Sequence, residues 1–179
     1  MGRRNLPWVF FLWGVVAFLC LPLISHFQKK HFQKTEKLFV CAIPNQENTA
    51  HVRSDDNGKG YFGAPRNGGR VHDGIDLLAG VGEPVFAAKS GRVVRVIDSK
   101  KGYGKYIEIQ HPDGLKSLYA HLSAMNVKTR DWVDRGRMIG KVGKTGNAAS
   151  SQILPHLHFE VRDHDKPVNP TPLISYKLT

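Results

Sequence analysis

The chain has 179 residues, enough for one domain of ordinary size and a short extension. Charged residues make up 23% of it and apolar residues 41%, a composition that excludes a disordered chain and a protein with several membrane spans. The formal net charge of +11 favours an anionic partner, a class that includes nucleic acid, acidic lipid and anionic polymers. The only cysteines are Cys20 and Cys41, so a disulfide framework is excluded.

The N-terminal residues 1–25 have the pattern of a membrane-targeting segment. Residues 6–24 are apolar and uncharged, and they follow a short basic stretch with Arg3 and Arg4. As a helix this run would be roughly 28 Å long, near the lower limit for crossing a bilayer. No pattern of small residues marks a cleavage site at its end. We therefore predict a signal anchor that forms a transmembrane helix, with a cleaved signal peptide as the alternative.

Residues 26–52 are polar and basic, contain Pro44, and show no apolar period. This composition predicts a basic tether between the membrane and a globular domain. The domain itself is assigned to residues 53–179.

From residue 61 onward the chain has the pattern of an all-β domain. Glycines and prolines recur at short intervals, and no window of a dozen residues has a convincing apolar period of 3.6 residues. Turn signals at residues 101–102, 112–114 and 145–147 separate short apolar runs. We therefore predict an antiparallel β-sheet. The predicted strands are residues 84–88, 92–97, 106–110, 117–122, 138–142 and 156–162.

The last predicted strand separates into an apolar and a polar face, because side chains alternate across a sheet. The apolar residues are Leu157, Phe159 and Val161, and the polar residues are His156, His158, Glu160 and Arg162. Neighbours on one face lie roughly 7 Å apart, so one imidazole can bind an ion while the other reaches a substrate. Glu160 is predicted to form an ordinary surface ion pair.

Two further segments bring ligand-type side chains to the sheet. In an extended backbone His72, Gly74 and Asp76 share a face, and Gly74 leaves room between the two ligands. In residues 117–122, alternation predicts that Leu118, Ala120 and Leu122 are buried and that Tyr119 and His121 lie on the opposite face. Taken alone, His121 is interpreted as a surface or hydrogen-bonded histidine and not as a site residue.

Two imidazoles and one carboxylate form a donor set that suits zinc, which in catalytic sites takes three protein ligands and leaves a fourth position for water. A structural zinc site would need four ligands, usually with thiolates, and neither cysteine is near the predicted strands. The pattern therefore predicts one catalytic zinc ion.

Several short passages carry a resemblance to a known family. The four main ones are residues 72–77 (HDGIDL), 82–85 (GEPV), 119–122 (YAHL) and 156–161 (HLHFEV). Together with residues 102–104 and 167–170, they resemble the lysostaphin-type zinc peptidases, also called LytM-like peptidoglycan endopeptidases. The resemblance implies that His72, Asp76 and His158 bind the zinc ion. It also implies that His121 and His156 are the catalytic histidines.

Together with the signal anchor predicted at residues 1–25, the resemblance implies a membrane-anchored zinc endopeptidase of the bacterial cell envelope, with its catalytic domain outside the cytoplasm and peptidoglycan as its substrate. Zinc lowers the pKa of a bound water to about 7 and polarises the scissile carbonyl. Either His121 or His156 would accept the proton of that water, and the other would stabilise the oxyanion. The bond that is cut, in a glycine bridge or next to D-alanine, stays open.

Two other functions are retained as hypotheses. An inactive relative would bind and regulate a cell-wall hydrolase or a secretion partner, but none of the five site positions is substituted. A nucleic-acid binder is disfavoured, because the basic residues are scattered and the chain is predicted to be exported.

Overall fold

The computed structural model describes residues 31–32, 34–44 and 48–179. In these residues no helix has both the length and the apolar character needed to cross a membrane. The predicted signal anchor at residues 1–25 lies outside the described residues.

The described part of the chain is all-β, as predicted, and contains thirteen strands. They are β1 (Thr49–Ala50), β2 (Ser54–Asp55), β3 (Gly58–Lys59), β4 (Ile75–Leu78), β5 (Pro84–Phe86), β6 (Gly91–Asp98), β7 (Lys105–Gln110), β8 (Lys116–Met125), β9 (Trp132–Val133), β10 (Met138–Val142), β11 (His156–Asp163), β12 (Lys166–Val168) and β13 (Lys177–Leu178). Short 3-10 helices occur at Asn67–Gly69, Gly146–Ala149 and Thr171–Leu173. Residues 31–32 and 34–35 are also helical.

Nine of these strands form one antiparallel sheet, which confirms the predicted sheet type. The main order is β12-β11-β8-β7-β6-β9, while β4 pairs with β11 and β10 pairs with both β5 and β8. Strands β2 and β3 form a separate hairpin, and β1 pairs with β13 in parallel. The sheet therefore brings β4, β8 and β11 side by side, and these strands carry most of the candidate site residues.

Strand β11 follows the predicted alternation along its length. Leu157, Phe159 and Val161 are fully buried in the hydrophobic core. Burying a side chain of this kind contributes about 1.5–3 kcal/mol. This face fixes the register of β11, because a slip by one residue would turn every core side chain outward. His156 and His158 therefore project from the opposite face.

Strand β8 departs from the predicted alternation. Tyr119 pairs with Phe159 of β11 and is fully buried in the same core. The prediction that Tyr119 lies on the polar face with His121 is therefore wrong. Its hydroxyl accepts a hydrogen bond from the backbone N–H of Ala88 at 2.9 Å, which satisfies the polar end of the buried ring.

The reason for the departure is a β-bulge at His121. Tyr119 and Leu122 of β8 are three positions apart, but their partners in β7, Ile107 and Lys105, are only two apart, so β8 has one extra residue here. His121 has a φ of 61°, and this extra residue turns its side chain toward His158, with a distance of 5.7 Å between the ring centroids. His121 reaches the predicted site through this bulge and not through simple alternation.

Residues 36–43, which lie within the predicted tether, pack against the domain. Phe39 is fully buried, and its ring lies 6.0 Å from that of Phe159. The Phe39 N–H donates to Leu173 O at 2.9 Å, and Phe39 O accepts from Ser175 N at 2.9 Å. This segment is therefore part of the folded core, while the boundary at residue 53 stays a prediction.

Candidate metal centre and catalytic cleft

Three predicted ligands converge at the junction of β4 and β11. Asp76 and His158 lie directly opposite each other in the register of these strands. His72 lies just before β4, where its N–H donates to Ala64 O at 2.9 Å. The candidate ligand atoms are His72 Nε2, Asp76 Oδ1 and His158 Nδ1, with separations of 2.8 to 3.0 Å between them. All three residues are buried.

The outer nitrogen of each ligand imidazole is held by an acceptor. His72 Nδ1 lies 3.0 Å from Tyr61 O, and His158 Nε2 lies 2.9 Å from Glu160 Oε1. A carbonyl or carboxylate oxygen can only accept, so each of these nitrogens carries the proton. When the rings are neutral, the other nitrogen of each, His72 Nε2 or His158 Nδ1, carries a lone pair. Both of these nitrogens face Asp76.

This arrangement fits a zinc ion. Three acceptor atoms that face one another in a buried site repel unless a cation lies between them. Their separations are close to the edge of about 3.3 Å expected for tetrahedral zinc with bonds of about 2.0–2.1 Å. The three side chains form the one group in the described residues that could hold a metal ion.

The titration behaviour of the ligands agrees with a cation at this position. Burial acts to lower the pKa of His158, but the hydrogen bonds to Asp76 and Glu160 outweigh it and raise the pKa to about 9. Burial likewise acts to raise the pKa of Asp76, and the bonds from His158 and His72 bring it far below the usual range. Without metal a proton on His158 satisfies the carboxylate, so zinc binding has to release that proton.

His156 and His121 lie beside the three candidate ligands, and each holds a backbone carbonyl through Nδ1, although their ring planes are 75° apart. His156 Nδ1 donates to Leu154 O at 2.7 Å, and His121 Nδ1 donates to Thr145 O at 2.9 Å. Each Nε2 is therefore an unprotonated acceptor. The two ring centroids are 5.2 Å apart, and His156 Nε2 lies 3.7 Å from the ligand oxygen of Asp76.

Burial keeps both of these histidines neutral. It lowers the pKa of His156, and burial together with the neighbouring His158 and His156 lowers the pKa of His121 to about 3. An unprotonated Nε2 can accept a proton, which is the property required of a general base.

All five predicted site residues line one open cleft with a volume of about 750 Å³. Between His72 and Asp76 a glycine is needed at position 74, because a Cβ there would lie 2.4 Å from Phe159 O and 3.1 Å from the His158 ring. Gly74 therefore lets the chain cross close to β11. The interpretation that it leaves room between two ligands is consistent with this contact.

Sequence reasoning missed several supports of the site. Glu160 is fully buried, holds His158, and accepts from Arg162 Nε at 2.7 Å, so the predicted surface ion pair is wrong. Arg53 and Arg66 both donate to Asp76 Oδ2, Arg53 through two nitrogens. The alternation of polar and apolar residues in β11 did place Glu160 on the same face as His158. The sequence contains no local signal for Arg53, which lies far from the motifs.

Comparison with known proteins gives a consistent assignment. The family model described as Peptidase family M23 matches residues 70–170. The DD-carboxypeptidase/endopeptidase Mpg of Neisseria meningitidis is 44% identical over 101 residues, which cover 56% of this chain and 22% of the relative. The murein hydrolase activator NlpD of Escherichia coli is 38% identical over 109 residues, covering 61% of this chain and 27% of NlpD. The chain thus matches about a fifth to a quarter of these curated relatives.

The structure is also similar to a solved peptidase domain. The catalytic domain of lysostaphin from Staphylococcus simulans aligns with a TM-score of 0.55 and 38% identity, over 63% of this chain and 86% of that domain. The predicted resemblance to lysostaphin-type peptidases is therefore confirmed.

Proposed function

The chain belongs to peptidase family M23, and from that premise we propose that it is a zinc-dependent endopeptidase. Its substrates are peptide bonds in peptidoglycan stem peptides or cross-bridges. Support comes from the names of the relatives, one a DD-carboxypeptidase/endopeptidase and one a lysostaphin catalytic domain. The chain also contains the three residues with metal-ligand side chains, His72, Asp76 and His158, and the two further histidines, His121 and His156.

The observation that carries this proposal is the orientation of the four imidazoles. Each ring donates its outer N–H to a protein acceptor, which in the neutral ring leaves the other nitrogen as an acceptor. A binding module has no need for His121 and His156 to present unprotonated nitrogens beside a metal-type site. A hydrolase does, because it has to move protons during the attack of water and the departure of the amine.

When bound by His72, Asp76 and His158, zinc would supply Lewis acidity toward the scissile carbonyl and lower the pKa of a water molecule. The chain's own contribution is proton transfer. His121 or His156 accepts the proton of the attacking water at Nε2. The resulting imidazolium can then donate to the oxyanion or to the leaving amine.

A second candidate function is regulation of another cell-wall enzyme. It is favoured by the 38% identity to NlpD, which is named as a murein hydrolase activator. A regulator would not need turnover, so the two functions are separated by measuring hydrolysis and zinc content together.

The location that suits this activity is the bacterial cell envelope. We place the domain outside the cytoplasm, tethered by the apolar run of residues 6–24, and the net charge of +11 suits anionic envelope polymers. Cell fractionation with sequencing of the mature N-terminus tests this placement. A mature chain that starts after residue 25 and washes off membranes would refute the tether.

The experiment that tests the activity is digestion of purified peptidoglycan. The full-length protein is incubated with it, with and without a zinc chelator, and the released fragments are identified by mass. We expect fragments that arise from peptide-bond cleavage, abolished by the chelator and restored by added zinc. Zinc-loaded protein that releases no fragment, but stimulates a separate wall hydrolase, would favour the regulatory function instead.

A further inference from the structure

A buried arginine lies at the edge of the cleft, outside the part of the chain that the family model matches. Arg53 is 4% exposed, and it precedes the β2–β3 hairpin, whereas the matched region begins at residue 70. Its Nε and Nη2 donate to Asp76 Oδ2 at 3.2 and 3.1 Å. Its Nη1 donates to Asp55 Oδ1 at 2.6 Å. The guanidinium therefore joins two carboxylates, one of which is a metal ligand.

Asp55 extends this connection to the loop before β11. Its second oxygen, Oδ2, accepts the backbone N–H of Leu154 at 3.1 Å. The carbonyl of Leu154 is the acceptor that holds His156 Nδ1 at 2.7 Å. Asn57 in the hairpin turn adds a contact, because its amide donates to Gln152 O at 3.0 Å. The hairpin thus holds the loop at two points.

We propose that Arg53 and Asp55 form a positioning clamp that fixes a metal ligand and a catalytic histidine at the same time. Arg53 engages Oδ2 of Asp76, so that Oδ1 is the oxygen presented to the metal. Asp55 holds the backbone N–H of Leu154, the residue whose carbonyl accepts from His156 Nδ1 and so sets the tautomer of His156. The assignment of His156 as catalytic rests on the proposed function, but the two contacts do not.

Physical chemistry gives the clamp an effect on metal binding. A ligand carboxylate whose second oxygen is held by hydrogen bonds is already oriented before the metal arrives, and loss of such outer partners typically costs about 10–100-fold in affinity or activity. The guanidinium suits this task, since its planar fork reaches both carboxylates in one geometry. A purely structural ion pair would change stability alone.

The test uses two variants and a matched control in the full-length protein. Arg53→Lys keeps the charge but places its donors on one nitrogen, so the fork over both carboxylates is lost. Asp55→Asn keeps the shape but has one acceptor oxygen, which cannot serve both Arg53 and Leu154. The control is Lys59→Ala, which removes an exposed cation of the same hairpin that bonds only Ser54 Oγ among the described contacts of its side chain.

Zinc affinity is measured by competition with a chromophoric chelator, and the tautomer of His156 by long-range nitrogen NMR. We expect Arg53→Lys to bind zinc about tenfold more weakly. We expect Asp55→Asn to keep zinc affinity closer to wild type, to show mixed His156 tautomers, and to hydrolyse peptidoglycan about tenfold more slowly. Lys59→Ala should match the wild type in all three measurements.

Each outcome is decisive. Wild-type zinc affinity in Arg53→Lys and a wild-type His156 tautomer in Asp55→Asn, with only lower thermal stability, would overturn the clamp. The two variants report separately, so a folding failure of one leaves the other as the test. If the wild type cleaves no peptidoglycan while the zinc and NMR effects occur, the clamp stands and the enzymatic function fails.

Discussion

At the residue scale, the four histidines of the cleft are separated by the positions of their inner nitrogens. His72 Nε2 and His158 Nδ1 lie 3.0 and 2.8 Å from Asp76 Oδ1. His156 Nε2 lies further from that oxygen, at 3.7 Å. His121 is held by Thr145 O and packs against the rings of His156 and His158. This geometry supports three metal ligands and two groups that act on substrate.

We expect alanine substitutions of the two kinds of residue to differ in metal content. His121→Ala and His156→Ala should keep about one zinc per chain and hydrolyse peptidoglycan about 10²–10⁴-fold more slowly, because only a proton-transfer or oxyanion group is lost. His72→Ala and Asp76→Ala should lose zinc and activity together. Elemental analysis and turnover are measured on the same samples. Wild-type turnover in both His121→Ala and His156→Ala would contradict the division.

At the element scale, His121 is supported by two loops that pack backbone against backbone. The His121 N–H donates to Tyr103 O, and its ring donates to Thr145 O, each at 2.9 Å. The loops meet where a Cβ on Gly146 would lie 2.3 Å from the nitrogen of Gly104. This contact explains why Gly104 and Gly146 are glycines.

Gly146→Ala should therefore displace His121 while leaving the ligands in place. Gly146 has a φ of 63°, so alanine adds conformational strain of roughly 1–2 kcal/mol as well as the backbone clash. We expect at least a tenfold loss of turnover with zinc retained, in line with misplacement of a catalytic group.

The matched control is Gly102→Ala. Gly102 has a φ of 61°, but an added Cβ there meets nothing within 4 Å. It should show the conformational strain alone, measured as a lower unfolding free energy, with a smaller loss of turnover. Equal effects of both variants on turnover would mean that the close contact of the loops does not position His121.

At the scale of the whole molecule, the folded unit extends upstream of the family match. Phe39 packs edge-on against the ring of His111 at 5.2 Å and lies in the main core. Glu36 accepts from the backbone N–H of Ser90 at 2.7 Å and from its hydroxyl at 2.8 Å. These contacts join residues 36–43 to the sheet.

Phe39→Ala should consequently destabilise the domain by about 3–5 kcal/mol, the range for removing a buried phenylalanine ring. The neighbouring Leu38 is 41% exposed, and Leu38→Ala should change stability by less than about 0.5 kcal/mol. Chemical denaturation of both variants measures this difference. Similar stabilities of the two would show that the segment behaves as a simple tether.

Stability should also fall in mild acid through His111, whose side chain bonds Ser90 O and Ser117 Oγ and none of the candidate metal ligands. His111 is 3% exposed, its Nδ1 donates to Ser90 O at 3.0 Å, and burial lowers its pKa to about 4. In the unfolded chain His111 binds a proton below a pKa of about 6.5, whereas in the folded state it stays neutral until the pH is near 4. The contribution of His111 is fully present above about pH 6.5 and is lost as the pH falls toward 4.

His111→Asn, which keeps a donor near Ser90 O, removes this titration. Between pH 7 and pH 5 the stability advantage of the wild type over the variant should shrink by about 2 kcal/mol, since one pKa unit corresponds to about 1.4 kcal/mol. Denaturation of both proteins at the two pH values measures it, and groups common to both cancel. A constant difference would mean that His111 does not titrate between these pH values.

The amino-acid sequence by itself determined the fold class and the polar and apolar faces of β11. These inferences hold because side-chain alternation is a local property of extended backbone, and because the turn residues act within a few positions. The family resemblance of the short motifs, and not alternation, named the five residues that meet in the cleft and singled out His72, Asp76 and His158 as the candidate ligands.

Tertiary structure decided the features that depend on partners distant in the chain. The bulge that brings His121 to the site is set by the register of β8 against β7, which alternation within β8 does not encode. The burial of Glu160 depends on what covers its face of the sheet. The hold of Arg53 on Asp76 joins residues 23 positions apart. Such contacts form only when the folded chain brings the groups together, because no local period relates their positions.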